Sequence, residues 1–436
     1  MINNDPNIKK KIILLIIFIL ITFVSEAFYR EKLFEKSLEI QRILYDSLPY
    51  FIQKFNYYLS FFGHQLITLL LVIIFLVFPL NSVFNLFSCF ITASFISNTL
   101  KILYGNSRPF WEIPSLKIEC EGSFGNPSGH SINTWSFYLS FCDLILSSEF
   151  LKIKKNRKIT FFSYVITVLF MSAICVSRIL VNAHSINQVI FGSCIGFCVY
   201  FLFFKILALH TFSGKLFADF VLNPKVFKFN LFKFSCLLSV LISVYWLKKN
   251  DEVKYLKKMS LSCPNVNTQN LFGKKSLYGG LTLFFLLGFY LSLNLFFKLC
   301  KIYRPYKENE INHWNRQLFN KLPHKILTLT ICMIIPGSIN YLIPWESGLI
   351  IVSIFKISLP LLLLGVSMGG LFLLMIIKFK LGNSKIYDDF RVGTEADISK
   401  IPVRLPINNN IIKEDVSLKV KNIKEIKESN DLTESE

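Results

Sequence analysis

Three short polar clusters interrupt an otherwise oily chain: Lys101-Ile-Leu-Tyr-Gly-Asn-Ser-Arg108-Pro109, Asn126-Pro127-Ser128-Gly129-His130 and Ser177-Arg178-Ile-Leu-Val-Asn-Ala-His184. Each lies at the end of an apolar segment, where an idle charge is costly and a charged group usually faces a cavity and binds something. The set suits a phosphate monoester, whose oxygens carry about two negative charges near neutral pH. Lys101, Arg108 and Arg178 supply fixed cations, the two Arg as planar forks and the Lys as a point charge. Ser128 and Gly129, at the start of a helix, can aim N–H groups and a hydroxyl at the same anion, and Gly lets the backbone approach it closely.

The two imidazoles divide the remaining work. One must be neutral to attack phosphorus, and the other must carry the proton that the leaving alkoxide needs. His titrates near the range both roles require. No dense carboxylate or Cys/His ligand set accompanies them, so the sequence predicts no metal and no other cofactor.

These groups can act together only if the elements that carry them end on one membrane face. The chain has 436 residues, 53% of them hydrophobic and 17% charged, with the apolar residues in long blocks. That composition describes an all-α, polytopic membrane helical bundle. The net charge of +20 lies mainly in short segments between apolar blocks. Lys and Arg there set topology, which argues against a nucleic-acid partner and leaves membrane lipid as the surroundings.

Residues 1–27 combine a basic start, the apolar run Ile12 to Val24 and Ser25-Glu26-Ala27, the pattern of a signal peptide or short signal anchor. Residues 28–65 read as a lumenal amphipathic segment. Residues 66–206 form the catalytic core, with crossings at 66–80, 83–103, 131–151, 160–179 and 186–206 and a brief turn at Asn81-Ser82. Lys152 to Lys158, with five cations in seven residues, marks a cytoplasmic loop. This arithmetic puts all three clusters on the lumenal face. Residues 207–377 hold the remaining crossings, for nine core transmembrane helices in all. Residues 248–275 are placed in the lumen although they carry seven Lys against two acidic residues. Residues 378–436 are polar, poor in aromatics and predicted to be a disordered cytoplasmic tail. Most Cys fall in apolar runs and read as core residues. Cys120 and Cys263 fall in lumenal stretches and are the pair to test for a disulfide.

The order K-x6-R-P, P-S-G-H and S-R-x5-H resembles the signature of the type 2 phosphatidic acid phosphatase superfamily, which includes haloperoxidases, lipid phosphatases and glucose-6-phosphatases. Leu103 to Trp111, Glu119 to His130, and Cys175 to Arg178 with Ala183-His184 and Gln188 look most like the glucose-6-phosphatase branch. The resemblance implies hydrolysis of a sugar phosphate of the glucose 6-phosphate type in the lumen of the endoplasmic reticulum, with a sugar-phosphate transporter as partner. It also implies that His184 forms a phosphohistidine, that His130 protonates the leaving oxygen, and that Lys101, Arg108, Arg178, Ser128 and Gly129 hold the phosphate. Many members carry Asp four residues after the nucleophile, where this chain has Gln188. An amide can fix the ring's tautomer but adds no charge.

Two other readings stay open. One is a lipid phosphate or polyprenyl diphosphate phosphatase, and the other is a non-catalytic transporter or scaffold that keeps the residues. Singly, Lys101 and Arg178 would pass for snorkelling cations, Ser128 for a helix cap and His184 for a buried imidazole. Phe110 and Trp111 read as interfacial anchors, Glu119 and Glu121 as solvated loop acids, and His64, His210, His313 and His324 receive no role.

Overall fold

The computed structural model describes residues 6–78, 80–116, 120–147, 157–211, 217, 220–248, 251–263, 274–300, scattered positions between 326 and 342, and 349–371, with 218–219 outside it. The elements in it are helical, and eight helical stretches are long and apolar enough to cross a membrane. Of the ten apolar segments read from the sequence, 326–343 lies largely outside the described residues, and the tail 378–436 lies wholly outside them.

The first helix, α1 (Pro6–Ser47), runs without a break through the boundary expected near residue 27. At 1.5 Å per residue its 42 residues extend about 60 Å, roughly twice a bilayer's hydrocarbon core. The apolar half, with Ile13, Leu14, Leu20 and Ile21 exposed, suits lipid, and the charged half from Glu26 onward extends past it. α2 (Tyr50–Ser60) leads through a single 3₁₀ turn and His64 into α3 (Gln65–Val77). The break before α4 (Leu80–Tyr104) includes Phe78, which turns extended, and does not fall at Asn81-Ser82 as expected. Pro79 explains the displacement, because a proline disfavours helical geometry in the residue before it.

The core is α6 (Gly129–Ser147), wrapped by α4, α7 (Arg157–Leu180) and α8 (Ile186–Tyr200). α6 carries Asn133, Thr134, Ser136, Ser140 and Asp143 and is not among the eight apolar stretches. Those polar side chains are buried against neighbouring helices, so they meet protein and not lipid.

Beyond α8, a π-helical stretch, Phe201–Leu207, carries Lys205, whose ammonium pairs with Asp143 at 2.5 Å. Asp143 also accepts bonds from the Tyr164 and Tyr200 hydroxyls. In the second half, which opens with α9 (Pro224–Lys248), α12 (Leu283–Cys300) packs on α13 (Leu359–Val366) through glycine. A Cβ on Gly288 or Gly365 would lie 2.2 Å from a carbonyl oxygen of the facing helix, so larger residues would push the two apart.

A cap covers the end where the three clusters meet. α5 (Pro109–Glu112) brings Phe110 and Trp111 into a buried cluster with Phe124, Met259 and Cys263, the last two carried by or just past α10 (Asp251–Ser262). Phe110 and Trp111 are only 1% and 2% exposed, so they are core residues of the cap and not the interfacial anchors expected. Their rings have an apolar partner from a segment about 150 residues away, which local sequence does not reveal. Cys120 and Cys263 are bridged, with Cα atoms 5.7 Å apart. The bridge puts the Lys-rich segment 248–263 on the same end as the clusters. Two lysines are paired there: Lys258 of that segment bonds Glu112, and Lys275, at the start of α11 (Lys274–Gly280), bonds Glu121.

Candidate active site

Each cluster occupies a helix end whose local sequence turns the chain back on itself. α4 delivers Lys101 in its last turn and is closed by Gly105, whose φ of 58° lies in the left-handed region open to glycine. α7 delivers Arg178 and ends at Asn182, also left-handed at φ 58°. Asn tolerates that conformation, and here its side-chain amide donates to the Leu116 carbonyl at 3.1 Å. The resulting turn lets the N–H groups of Ala183 and His184 both donate to the Arg178 carbonyl at 3.2 Å, so cation and imidazole share one turn. α6 begins at Gly129, with the Ser128 hydroxyl accepting from Ser131 Oγ at 3.0 Å.

Arg108 ties the clusters together. It is 1% exposed and donates from Nε to the Ser123 carbonyl (2.6 Å), from Nη2 to Ser123 Oγ (2.9 Å), and from Nη1 to the Ala183 carbonyl (2.9 Å) and His184 Nε2 (3.2 Å). Lys101 Nζ donates to the same Ser123 hydroxyl at 3.3 Å. A Cβ on Gly129 would lie 3.4 Å from Lys101 Nζ, so the Ser-Gly turn passes directly over that ammonium. The cations therefore converge on one small volume.

His184 is held by its other nitrogen. Nδ1 lies 2.8 Å from the Gly125 carbonyl and 3.2 Å from Gln188 Oε1. Both are acceptors, so Nδ1 carries the proton and Nε2 presents its lone pair beside Arg108. The ring is buried, which disfavours its charged form, and Arg108, Arg178 and Lys101 push the same way, so its pKa lies well below the usual 6.5.

The orienting group expected at Gln188 is thus shared with a backbone carbonyl. Gln188 Oε1 also accepts from the Ser185 N–H at 3.3 Å, and its Nε2 donates to the Ser107 carbonyl at 2.8 Å. Gly125 is required at its position, since a Cβ there would lie 2.6 Å from the Ser107 carbonyl and 2.7 Å from the Gln188 amide.

His130, at the start of α6, is partly exposed, and its ring centroid lies 6.1 Å from that of the exposed His64. Burial and then the charges of Arg178, His64, His184 and Lys101 push its pKa well below the usual 6.5, a shift that the negative charge of a bound phosphate would oppose. His130 is thus set at the open side of the cation cluster while His184 is enclosed within it.

Three contributors escaped the sequence reading. Ser123 bridges Lys101 and Arg108, the Gly125 carbonyl orients His184, and Glu121 sits at the rim. Glu121 accepts from Ser123 Oγ at 3.2 Å and pairs with Lys275, so it is not the solvated acid expected. Burial would raise its pKa, but Lys275, Arg108 and Lys101 outweigh that and hold it below the usual carboxylate range. Glu119 lies outside the described residues, as do His313 and His324. Among the described residues no three His, Cys, Asp or Glu side chains lie close enough to share a metal ion.

No curated protein and no solved structure matches the chain. Residues 82–211, the stretch that holds all three clusters and the four helices around them, match the model of the PAP2 superfamily.

Proposed function

We propose that the protein is a membrane phosphohydrolase that cleaves a sugar phosphate of the glucose 6-phosphate type by way of a phosphohistidine. The observation that carries this reading is the state of His184. Its Nδ1 proton is committed to the Gly125 carbonyl, and its Nε2 lone pair lies 3.2 Å from an Arg108 nitrogen among converging cations. The PAP2 superfamily match over the same residues supports a phosphatase.

In the first step Arg108, Lys101 and Arg178, with the Gly129 N–H and the Ser128 hydroxyl, hold the phosphate oxygens and stabilise the charge that spreads over them in the transition state, the Ser128 N–H expected there being spent on the Gln188 carbonyl at 2.9 Å. The Nε2 lone pair attacks phosphorus, the P–O bond to the sugar breaks, and the leaving alkoxide takes a proton from His130. The partial exposure of His130 suits a group that meets the leaving sugar. In the second step water attacks the phosphohistidine, His130 accepts the water proton, and the P–N bond breaks to release inorganic phosphate. Arg108, which contacts Nε2 in the absence of substrate, moves its donor to a phosphoryl oxygen.

Gln188 in place of an acidic orienting residue supports a sugar phosphate over a lipid phosphate. The Cys120–Cys263 bridge supports a site facing an oxidising compartment such as the lumen of the endoplasmic reticulum. A site so placed needs its substrate carried across the membrane, hence a sugar-phosphate transporter as partner. The test is phosphate release by the purified full-length chain from glucose 6-phosphate, other sugar phosphates, phosphatidic acid and a polyprenyl diphosphate, with acid-labile label trapped on His184. Turnover of the lipids alone overturns the substrate assignment, and absence of turnover on the whole panel overturns the phosphatase reading.

A further inference from the structure

Helix α1 lies outside the matched residues 82–211, yet its charged half contacts all three clusters. To the first, the Arg30 guanidinium stacks over the Tyr104 ring at 4.4 Å while bonding Glu26 at 2.9 Å. To the second, the Asn126 amide donates to Glu26 Oε1 at 2.7 Å and to Asn106 Oδ1 at 3.2 Å, joining the first and second clusters through the same nitrogen. To the third, Gln41 Nε2 donates to the carbonyls of Ile179 (2.8 Å) and His184 (2.9 Å), and the Ile186 N–H donates to Ser37 Oγ at 3.0 Å.

Glu26, Ser37 and Gln41 are 7%, 0% and 1% exposed. Burying a carboxylate, a hydroxyl and an amide on a helix that otherwise faces lipid and solvent is costly unless each bond is kept. Along the apolar half, Phe18 and Phe23 meet Phe197 and Phe191 of α8 edge-on, and Leu15 packs with Cys198 and Ile206, which fixes the height of α1 against the helix that follows His184.

We infer that α1 is a retained strut and that Gln41 and Glu26 are positioning residues, which act on the reaction by holding the His184 turn and the Asn126 loop in register. Gln41 grips the turn from both sides, at the residue after Arg178 and at His184 itself. A shift of that turn moves the nucleophile against the phosphate, and displacements of about 1 Å can cost around a hundredfold in rate. Processing near residue 27 would separate Glu26 and the α8-packing half of the strut from the site. The inference rests on the phosphatase reading for its kinetic arm only.

The experiment uses the full-length chain in nanodiscs. Gln41→Glu keeps the side chain's size but removes its N–H donor, and kcat for the best sugar phosphate should fall at least about tenfold with KM changed less than about twofold. Glu26→Ala should do the same, and Glu26→Gln, whose amide oxygen still accepts from Asn126, should recover most of the loss. Arg42→Ala, one position along on the exposed face, sets the baseline. A helix that served stability alone would lower the melting temperature and leave kcat of the folded fraction unchanged. Wild-type kcat in folded Gln41→Glu overturns the inference, as does an intact mass showing that the mature chain begins after Glu26. If wild type turns over nothing, the phosphatase reading fails by itself. The strut is then judged by amide exchange at 183–186, which Gln41→Glu should speed about tenfold and which, if unchanged, sinks it.

Discussion

The two ends of α6 hold charged groups in opposite ways. At the Gly129 end, Arg108 bonds the Ser123 and Ala183 carbonyls, the Ser123 hydroxyl and the His184 ring, all of them neutral, and Lys101 bonds the same hydroxyl. About 20 Å along the helix, Asp143 receives Lys205 and two tyrosine hydroxyls, so the cation there is answered by a carboxylate within the fold. A cluster that cancels its own charge is complete. One that gathers the charge of Lys101, Arg108 and Arg178 about the His184 ring, while its Glu121 carboxylate pairs with Lys275 at the rim, suits an anion from outside. The difference teaches that burial of charge alone does not mark a functional site; what answers the charge does.

Substitutions at the two ends should break apart accordingly. On the proposed phosphohistidine route, His184→Ala should lower kcat by about a thousandfold or more, because that route has no other nucleophile. Phosphate release within tenfold of wild type would remove the mechanism. Arg108→Ala should cost about 100- to 1,000-fold, as expected when a donor to the transition-state charge is lost. Lys205→Met, equally cationic in origin but answered by Asp143, should stay within about threefold, and equal losses at both ends would erase the contrast.

Stability should order the ends the other way. Asp143→Asn should destabilise the bundle by about 1–2 kcal/mol, the low side for a buried pair because the Lys205 side chain is 36% exposed. Thermal unfolding in detergent reads this, with kcat of the folded protein as the control. The cap offers a third case: Cys120→Ser should cost about 2–4 kcal/mol through the freed 143-residue loop while leaving the phosphate contacts in place.

The smallest effect concerns pH. The folded pKa of His184 lies below the usual 6.5, so its ring is already neutral where a free imidazole would be half charged. The acid limb of kcat/KM due to His184 should therefore lie well below pH 6.5. The same displacement means the unfolded chain binds a proton that the folded chain refuses. The stability contribution is then complete above about pH 6.5 and is lost as pH falls toward the folded pKa. A melting temperature unchanged between pH 7 and pH 5.5 in wild type, and equal to that in His184→Asn, would show that the ring is not held neutral.

The side chains of the candidate site were legible because they are groups with unusual costs. Lys101, Arg108, Arg178, His130 and His184 stand out in apolar surroundings, and Ser128-Gly129 advertises a helix start. The helical class was legible too, since backbone groups in lipid must be satisfied within a helix. Glu121 and Trp111 were misjudged because each depends on a distant partner, Lys275 for one and the Met259–Cys263 segment for the other. The polar face of α6 was readable as a crossing helix only through its length, since its neighbours and not its own composition shield Asn133 and Asp143.

The order of the residues alone determined which chemical groups the protein owns and that the ends of its apolar segments carry cations and imidazoles. Only the folded chain decided which nitrogen of His184 faces the cations, because the deciding partner is the carbonyl of Gly125, and a carbonyl is the same in every residue. It also decided that Cys120 meets Cys263 and that α1 reaches the His184 turn, contacts separated by 143 residues in each case. Side-chain type is a local property and can be read in place. Convergence is set by the packing of whole helices, in which no single stretch of sequence has a casting vote.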